Sequence, residues 1–383
     1  MKNLPYGHQC IDEKDISEVI KVLQSDWITQ GSKVKEFENS ITNYTGAKYA
    51  VAVSSGTAAL HIAAIAAGIK KHDEVITSPI TFVASANCIL YCGGKPVFVD
   101  IENTIPNIDP NQIIEKIIKK TKAIIPIDYS GHPSDLKEIY EIAKSKDLTI
   151  IEDASHALGA KYRGINIGSC RYSDMAIFSF HPVKHITTGE GGMVVTNNND
   201  LYEKLIMLRN HGITKDKKRL NRNEGPWYYE QQLLGYNYRI TDFQCALGLS
   251  QIKKLDRFIK KRRKIVDIYN KELENVELIQ LPFEKEYATS SWHLYYIQIK
   301  KSKDRRYIFE KLRKYNIGCQ VHYIPVYFQP YYQKLGYNRC ICSNAEKFYK
   351  KAISIPIYPS MKSEEINYVI ETIQKVSNSL HKN

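Results

Sequence analysis

Nothing in this chain is long and apolar enough to span a bilayer. The longest apolar run, Thr57 to Ile69, is interrupted by His61 and falls short of the roughly 20 residues a spanning helix needs. The stretch from Met1 to Cys10 is polar and carries Pro5, so it lacks the apolar centre of a secretory leader. A cytoplasmic setting is the expectation. No C-x-x-C pair occurs among the eight cysteines, which removes the usual zinc and redox spacings. Cys88 and Cys92 are four apart in an apolar segment, where helical spacing sets both on one core-facing stripe, while Cys340 and Cys342 stand too close for an ordinary clamp. Reduced thiols and no metal site are expected. The glycine signatures of nucleotide folds are also missing. Neither G-x-x-x-x-G-K nor G-x-G-x-x-G occurs, so a P-loop or dinucleotide fold has no anchor.

What is present reads as an ordinary globular chain. Its 383 residues are 43% hydrophobic and 25% charged, enough for a large unit and a smaller one with well-buried cores. Basic residues outnumber acidic ones, 54 to 41, for a net charge of +13. The densest run, Lys260 to Lys264, interrupts a long helical pattern from Phe243 to Leu273, where Leu247, Leu255 and Ile259 recur at helical spacing. A solvated helix face explains that run without nucleic acid. The surplus also suits an anionic small molecule such as a nucleotide sugar.

Short β-branched runs alternate with helical patterns in the first part, which predicts an α/β fold with a mostly parallel sheet. Strands are expected at 49–53, 74–78, 95–101, 123–127, 149–152, 175–180 and 193–196, and helices at 56–67 and 82–91. Asp109 caps a further helix that begins at Pro110. The polar stretch from Ile213 to Glu230 reads as a long loop. From Thr241 a long basic helix runs on, and strands at 293–300 and 318–323 follow. A domain boundary is expected inside that helix, at about 245–260.

Four segments carry chemistry. Ser54-Ser55-Gly56-Thr57 joins a strand to an Ala-rich helix, whose first N–H groups and dipole favour an anion that Gly56 lets approach. Read alone, it is equally a helix cap. Ile150 to His156 sets Glu152, Asp153 and His156 at the carboxyl end of a buried strand, where α/β ligand sites form; a carboxylate there is explained if it meets a cation. Phe178 to Gly192 holds Lys184 between two strands, flanked by His181 and His185 and followed by Gly189, Gly191 and Gly192. Lysine attacks carbonyls when burial or neighbouring charge lowers its pKa. Gly235 to Gln244 is a polar cluster ahead of a helix, and by itself a cap.

As a set, these residues resemble the sugar aminotransferases of the DegT, DnrJ, EryC1 and StrS family, in the expected order and over almost the whole chain. The resemblance implies the aspartate aminotransferase-like fold, fold type I of the pyridoxal 5′-phosphate enzymes. An α/β large domain with a mostly parallel mixed sheet would span 1–250, and a smaller α+β domain 251–383, with the segment 1–30 near the substrate site. Lys184 would carry pyridoxal 5′-phosphate as a Schiff base and Asp153 would pair with the ring nitrogen. Gly56, Thr57 and Ser179 would hold the phosphate, Phe82 would cover one ring face and His156 would pack near the ring. Asn237 would reach the cofactor of the other subunit, which implies a homodimer. Relatives with histidine in place of Lys184 are dehydratases, so the lysine here points to amino transfer.

A finer likeness, in Ser78 to Ala84, His181 to Thr188 and Val321 to Pro325, is to the subgroup of pseudaminic acid biosynthesis. It implies L-glutamate as amino donor and UDP-2-acetamido-2,6-dideoxy-β-L-arabino-hex-4-ulose as acceptor, a UDP-linked 4-keto-6-deoxy sugar. The sugar nucleotide would be met by Tyr6, by Asp26, Trp27, Ile28 and Thr29, and by His322, Tyr323, Ile324 and Pro325. Arg239 is a candidate for the glutamate carboxylate. The competing readings are another nucleotide-sugar 4-aminotransferase of perosamine type and a cofactor-binding regulatory protein without turnover.

Overall fold

The computed structural model describes residues 3–380; Met1, Lys2 and 381–383, which the segment and domain limits above include, lie outside the described residues. Seven strands form the main sheet: β1 (Tyr49–Val53), β2 (Glu74–Thr77), β3 (Lys95–Phe98), β4 (Thr121–Ile125), β5 (Thr149–Asp153), β6 (Met175–Ser179) and β7 (Gly192–Thr196). Their order across the sheet is β1-β7-β6-β5-β4-β2-β3. Only β7 pairs antiparallel with its neighbours, β1 and β6; the others pair parallel. A parallel sheet with helices on both faces buries both sides of its strands, so these strands read as continuous apolar runs. Ile150, Ile151, Ile177, Val194 and their neighbours are at most 1% exposed.

Three loops therefore meet at one edge of the sheet. β1 ends there at Val53, β5 at Asp153 and β6 at Ser179, while the reversed β7 starts there at Gly192. A Cβ on Gly192 would run into the Ser55 carbonyl, so glycine is what lets the β6–β7 turn close onto the loop after β1.

A second core lies over a three-stranded sheet made by β8 (Ile279–Gln280), β9 (Tyr295–Ile299) and β10 (Ala352–Ile355). Helix Leu255–Leu273 serves both cores. Leu255, Phe258 and Ile259 pack with the large sheet, and Ile265, Val266, Tyr269 and Leu273 pack with the small one. The two parts are also tied where Asp100, just past β3, accepts from the Asn344 and Ala345 amides at 2.8 Å and so caps helix Ser343–Lys351.

Three expectations are corrected. The long helix predicted from Thr241 is two helices, Asp242–Ile252 and Leu255–Leu273. Between them Lys254 turns to meet Asp12 and the fully buried Asp15, at 2.6 and 2.7 Å; an unpaired carboxylate there would cost about 3–5 kcal/mol. The basic run is not a uniformly solvated face. Arg262 is 0% exposed and donates from Nη1 to the carbonyls of Trp292, His293 and Ile357, while Arg263 pairs with Glu284. The strand expected at 318–323 is reduced to a single bridge, Gln320 to Ser354, because the chain leaves the sheet to deliver His322 and Tyr323 to the site. All eight cysteines are free thiols. Among the described residues no helix is long and apolar enough to cross a membrane.

Candidate active site

A cavity of about 480 Å³ opens at the shared edge of β1, β5 and β6. Its anion end is built by helix Gly56–Ala66. Ser55 caps that helix by accepting from the Ala58 amide at 3.0 Å, which leaves the first N–H groups aimed along the axis. A Cβ on Gly56 would sit 2.9 Å from Ser179 Cβ and 3.1 Å from its Oγ. Glycine is thus the residue that lets the Ser179 hydroxyl stand against the helix end. One helix terminus, two hydroxyls (Thr57 and Ser179) and a position with no room for a side chain fit a phosphate.

Asp153 closes β5 and is 4% exposed. Its Oδ1 accepts from the Ser155 amide at 3.2 Å and its Oδ2 from the Ser85 hydroxyl at 2.6 Å. Behind it, Asp128 and Glu152 are buried, each with one oxygen lacking a partner other than the other acid. Burial, then repulsion from Glu152, pushes the Asp128 carboxyl well above the usual range. Burial raises the Glu152 carboxyl as well, so the two buried acids oppose each other's ionisation.

Lys184 sits in the turn between β6 and β7 and lines the same cavity as Asp153. Burial lowers its pKa to about 8, with Asp153 opposing the shift. An amine so placed has a neutral fraction of roughly one tenth at pH 7, far above that of an ordinary lysine, and it is this form that serves as carbonyl nucleophile or proton acceptor. Two nearby histidines are driven toward the neutral form. Burial holds His156 well below the ordinary imidazole range and brings His322 to about 4, and in both the Lys184 charge adds to the effect.

The His156 tautomer follows from its contacts. Its Nδ1 accepts from the Ser130 amide at 3.3 Å, so the neutral ring carries its proton on Nε2. That nitrogen is 3.3 Å from the Tyr323 hydroxyl and donates to it. The Tyr323 proton is thereby free for the cavity, and burial raises the phenol pKa, keeping that proton in place. Phe82 stands across from this group, 59% exposed, its ring 6.3 Å from that of Tyr323. Tyr6 completes the wall, 5.0 Å from the His322 ring.

The structure thus brings Lys184, Asp153, His156, Gly56, Thr57, Phe82, Ser179, Tyr6, His322 and Tyr323 to one cavity. It does not bring the other expected residues there. Asp26 and Trp27 border a separate cavity of about 590 Å³. Ile28 and Thr29 are fastened to the start of helix Asp242–Ile252, through the Asp242 amide to the Ile28 carbonyl and a bridge from Thr29 to Thr241. Ile324 is exposed and Pro325 buried outside the cavity lining, and Asn237 is exposed. Arg239 donates from Nη1 to Asn210 Oδ1 at 2.7 Å and lies outside the lining of this cavity. His181 lines the cavity, whereas His185 is buried against the Ser291 carbonyl. Ser85 and Thr81 were missed by the sequence reading; hydroxyls four apart at an otherwise apolar helix start were the available signal.

The model of the DegT/DnrJ/EryC1/StrS aminotransferase family matches residues 9–374. The chain belongs to that family. It is 41% identical over 384 residues to the UDP-4-amino-4,6-dideoxy-N-acetyl-β-L-altrosamine transaminase of Campylobacter jejuni, with 99% of each chain covered. It is 35% identical over 376 residues to the GDP-perosamine synthase of Escherichia coli O157:H7, covering 98% of this chain and 99% of that one. Among solved structures, the Helicobacter pylori PseC aminotransferase involved in biosynthesis of pseudoaminic acid superimposes with TM-score 0.92 at 34% identity, over 99% of this chain and 100% of the other. A putative sugar aminotransferase of Streptococcus pneumoniae, solved in PLP and PMP forms, gives 0.92 at 31% identity over 99% of this chain and 99% and 100% of those chains. The protein is a pyridoxal phosphate-dependent sugar aminotransferase with the α/β fold of that class.

Proposed function

We propose that this enzyme transfers the amino group of L-glutamate to C4 of UDP-2-acetamido-2,6-dideoxy-β-L-arabino-hex-4-ulose, yielding UDP-4-amino-4,6-dideoxy-N-acetyl-β-L-altrosamine and 2-oxoglutarate. The observation that carries the chemistry is the Lys184 amine, its pKa lowered to about 8, in one cavity with the buried carboxylate of Asp153. The choice of sugar is supported by the likeness to the altrosamine transaminase and to the PseC structure.

Pyridoxal phosphate, when bound, accepts the amino group and withdraws electrons from the carbon that loses its proton. The protein does the rest. The helix end at Gly56 and Thr57, with Ser179, would hold the phosphate. Asp153 would pair with the ring nitrogen and keep it protonated. Phe82 and His156 would pack against the ring. Lys184 would hold the group through its amine and, with that amine free, would be the base that takes the donor Cα proton and delivers a proton in the return half. Tyr6, His322 and Tyr323 form the inner wall against the sugar, with Asp26 to Thr29, Ile324 and Pro325 as outer contacts. Asn237, exposed in its own chain, reaches the cofactor phosphate of a second copy in a homodimer.

A GDP-sugar acceptor is the second reading, favoured by the likeness to the perosamine synthase. Offering the UDP- and GDP-linked 4-ketosugars separately with glutamate, and identifying the aminated sugar by NMR, decides between them. The UDP-linked altrosamine derivative is expected. Amination of the GDP sugar alone would replace the proposal.

A further inference from the structure

Two hydroxyls that no functional reading has used stand behind Asp153. Ser85 Oγ lies 2.6 Å from Asp153 Oδ2, and Thr81 Oγ1 lies 2.8 Å from Ser85 Oγ. The three residues are 2%, 4% and 4% exposed for Ser85, Thr81 and Asp153 respectively. Donor counting fixes the direction of the chain. An ionised carboxylate only accepts, so the single Ser85 proton goes to Asp153, and the Ser85 oxygen must then accept from Thr81. The other carboxylate oxygen accepts from the Ser155 amide. Asp153 is therefore gripped at both oxygens by residues of the cavity wall, which fixes the plane of the carboxylate.

The local sequence arranges this economically. Thr81 and Ser85 flank the start of helix Ala84–Tyr91, one turn apart, so their hydroxyls meet. Phe82 sits between them in sequence and is exposed at the same cavity wall that Thr81 and Ser85 help to line. One short segment thus gives that wall a ring and two buried hydroxyls that reach the acid.

We propose that Thr81 and Ser85 form a directed relay, Thr81 to Ser85 to Asp153, that positions the Asp153 carboxylate and sets how strongly it holds the proton on the cofactor ring nitrogen. They are positioning residues, acting through Asp153, and the proposal rests on the reading of Asp153 as the ring-nitrogen partner. Thr81 acts only through Ser85, which makes a non-additive pair the signature of the relay.

The test uses the holoenzyme and the variants Ser85→Ala, Thr81→Val, the double variant and Asp153→Asn. Three quantities are read: the dissociation constant of pyridoxal phosphate, the pH midpoint of its visible band, and kcat and KM with glutamate. Ser85→Ala is expected to weaken cofactor retention about tenfold, the loss of one hydrogen bond to a charged group, to shift the pH midpoint, and to lower kcat with KM unchanged. Thr81→Val should act in the same direction but less. The double variant should be no worse than Ser85→Ala. Independent, additive losses in the double variant would overturn the relay, as would a Ser85→Ala enzyme whose cofactor retention and pH midpoint match the parent. Should Ser85→Ala fail to fold, the isosteric Thr81→Val decides alone: a shifted midpoint supports the relay and an unchanged one overturns it. If Asp153→Asn itself leaves band and retention unaltered, the underlying reading of Asp153 fails; if only Asp153→Asn moves them, the relay fails alone.

Discussion

The inner and outer parts of the site are built on different terms. At the inner end, Gly56, Asp153, His156 and Ser179 close or closely follow strands of the main sheet, and the acid and the imidazole have their polar atoms held by the protein. Asp153 is held at both oxygens, His156 is fixed in one tautomer by a backbone amide, and Gly56 is pressed against Ser179. The exposed segments away from that cavity are the opposite. Trp27, at the separate cavity, is 67% exposed, and Trp227, 71% exposed, sits in a loop held by Glu230, which gathers the Asn221 and Arg222 amides, and by the ion pairs of Arg219. Preorganisation of polar groups lowers a barrier only where charge develops. Amino transfer needs it at the inner end, where Lys184 and Asp153 share one cavity, and the exposed segments carry no comparable set of fixed groups.

That contrast can be broken most severely at Lys184. Replacing it with alanine removes both anchor and base, so multiple turnover should vanish while the fold persists. Near-normal turnover by purified Lys184→Ala would remove the inner site from the mechanism altogether. Tyr323 lies on the border between the two regions. Tyr323→Phe keeps the ring but loses the one proton left free for the cavity, and about a tenfold fall in kcat/KM for the ketosugar is expected, measured under saturating glutamate. An unchanged value would mean that the inner wall contributes shape only.

The pH dependence of cofactor loading sharpens the same point. The Lys184 amine reacts only when unprotonated, and burial brings its pKa to about 8. The rate of pyridoxal phosphate capture by apoprotein should therefore rise with pH and level off above about 8, rather than above the ordinary lysine value of roughly 10.4. Stopped-flow absorbance across that range reads the midpoint directly. The smallest effect is expected at the rim. Asn237→Ala should weaken cofactor retention about fivefold, one neutral hydrogen bond, and only under conditions where sedimentation shows a dimer. A loss of the same size in a monomeric preparation would return Asn237 to its own chain.

Much of the inner end was readable because its signals are local. An apolar strand that ends in Glu152-Asp153 has to explain a buried acid, and a lysine between two strands ahead of Gly189, Gly191 and Gly192 has to explain its neighbours. The limits of β1 and the cap at Asp109 were read for the same reason. What escaped depends on partners distant in sequence. The helix break at Lys254 is set by Asp15, more than two hundred residues away. The burial of Arg262 depends on carbonyls at 292, 293 and 357, so a basic run counted along the chain looks like a solvated face. Ser85 is silent in sequence because its hydroxyl gains meaning only beside Asp153.

Arg262 also bears on motion. One unbroken helix passes from the core of the large sheet into that of the small one, and at the crossing a guanidinium is bonded to carbonyls from two separate segments, at 292–293 and at 357. The 291–293 segment is itself bonded back to the large part, Ser291 and His293 donating to the Gly131 and Ser130 carbonyls. A swing of one body against the other would have to break that strip, so the buried guanidinium acts less as a hinge pin than as a rivet holding the strip to the helix.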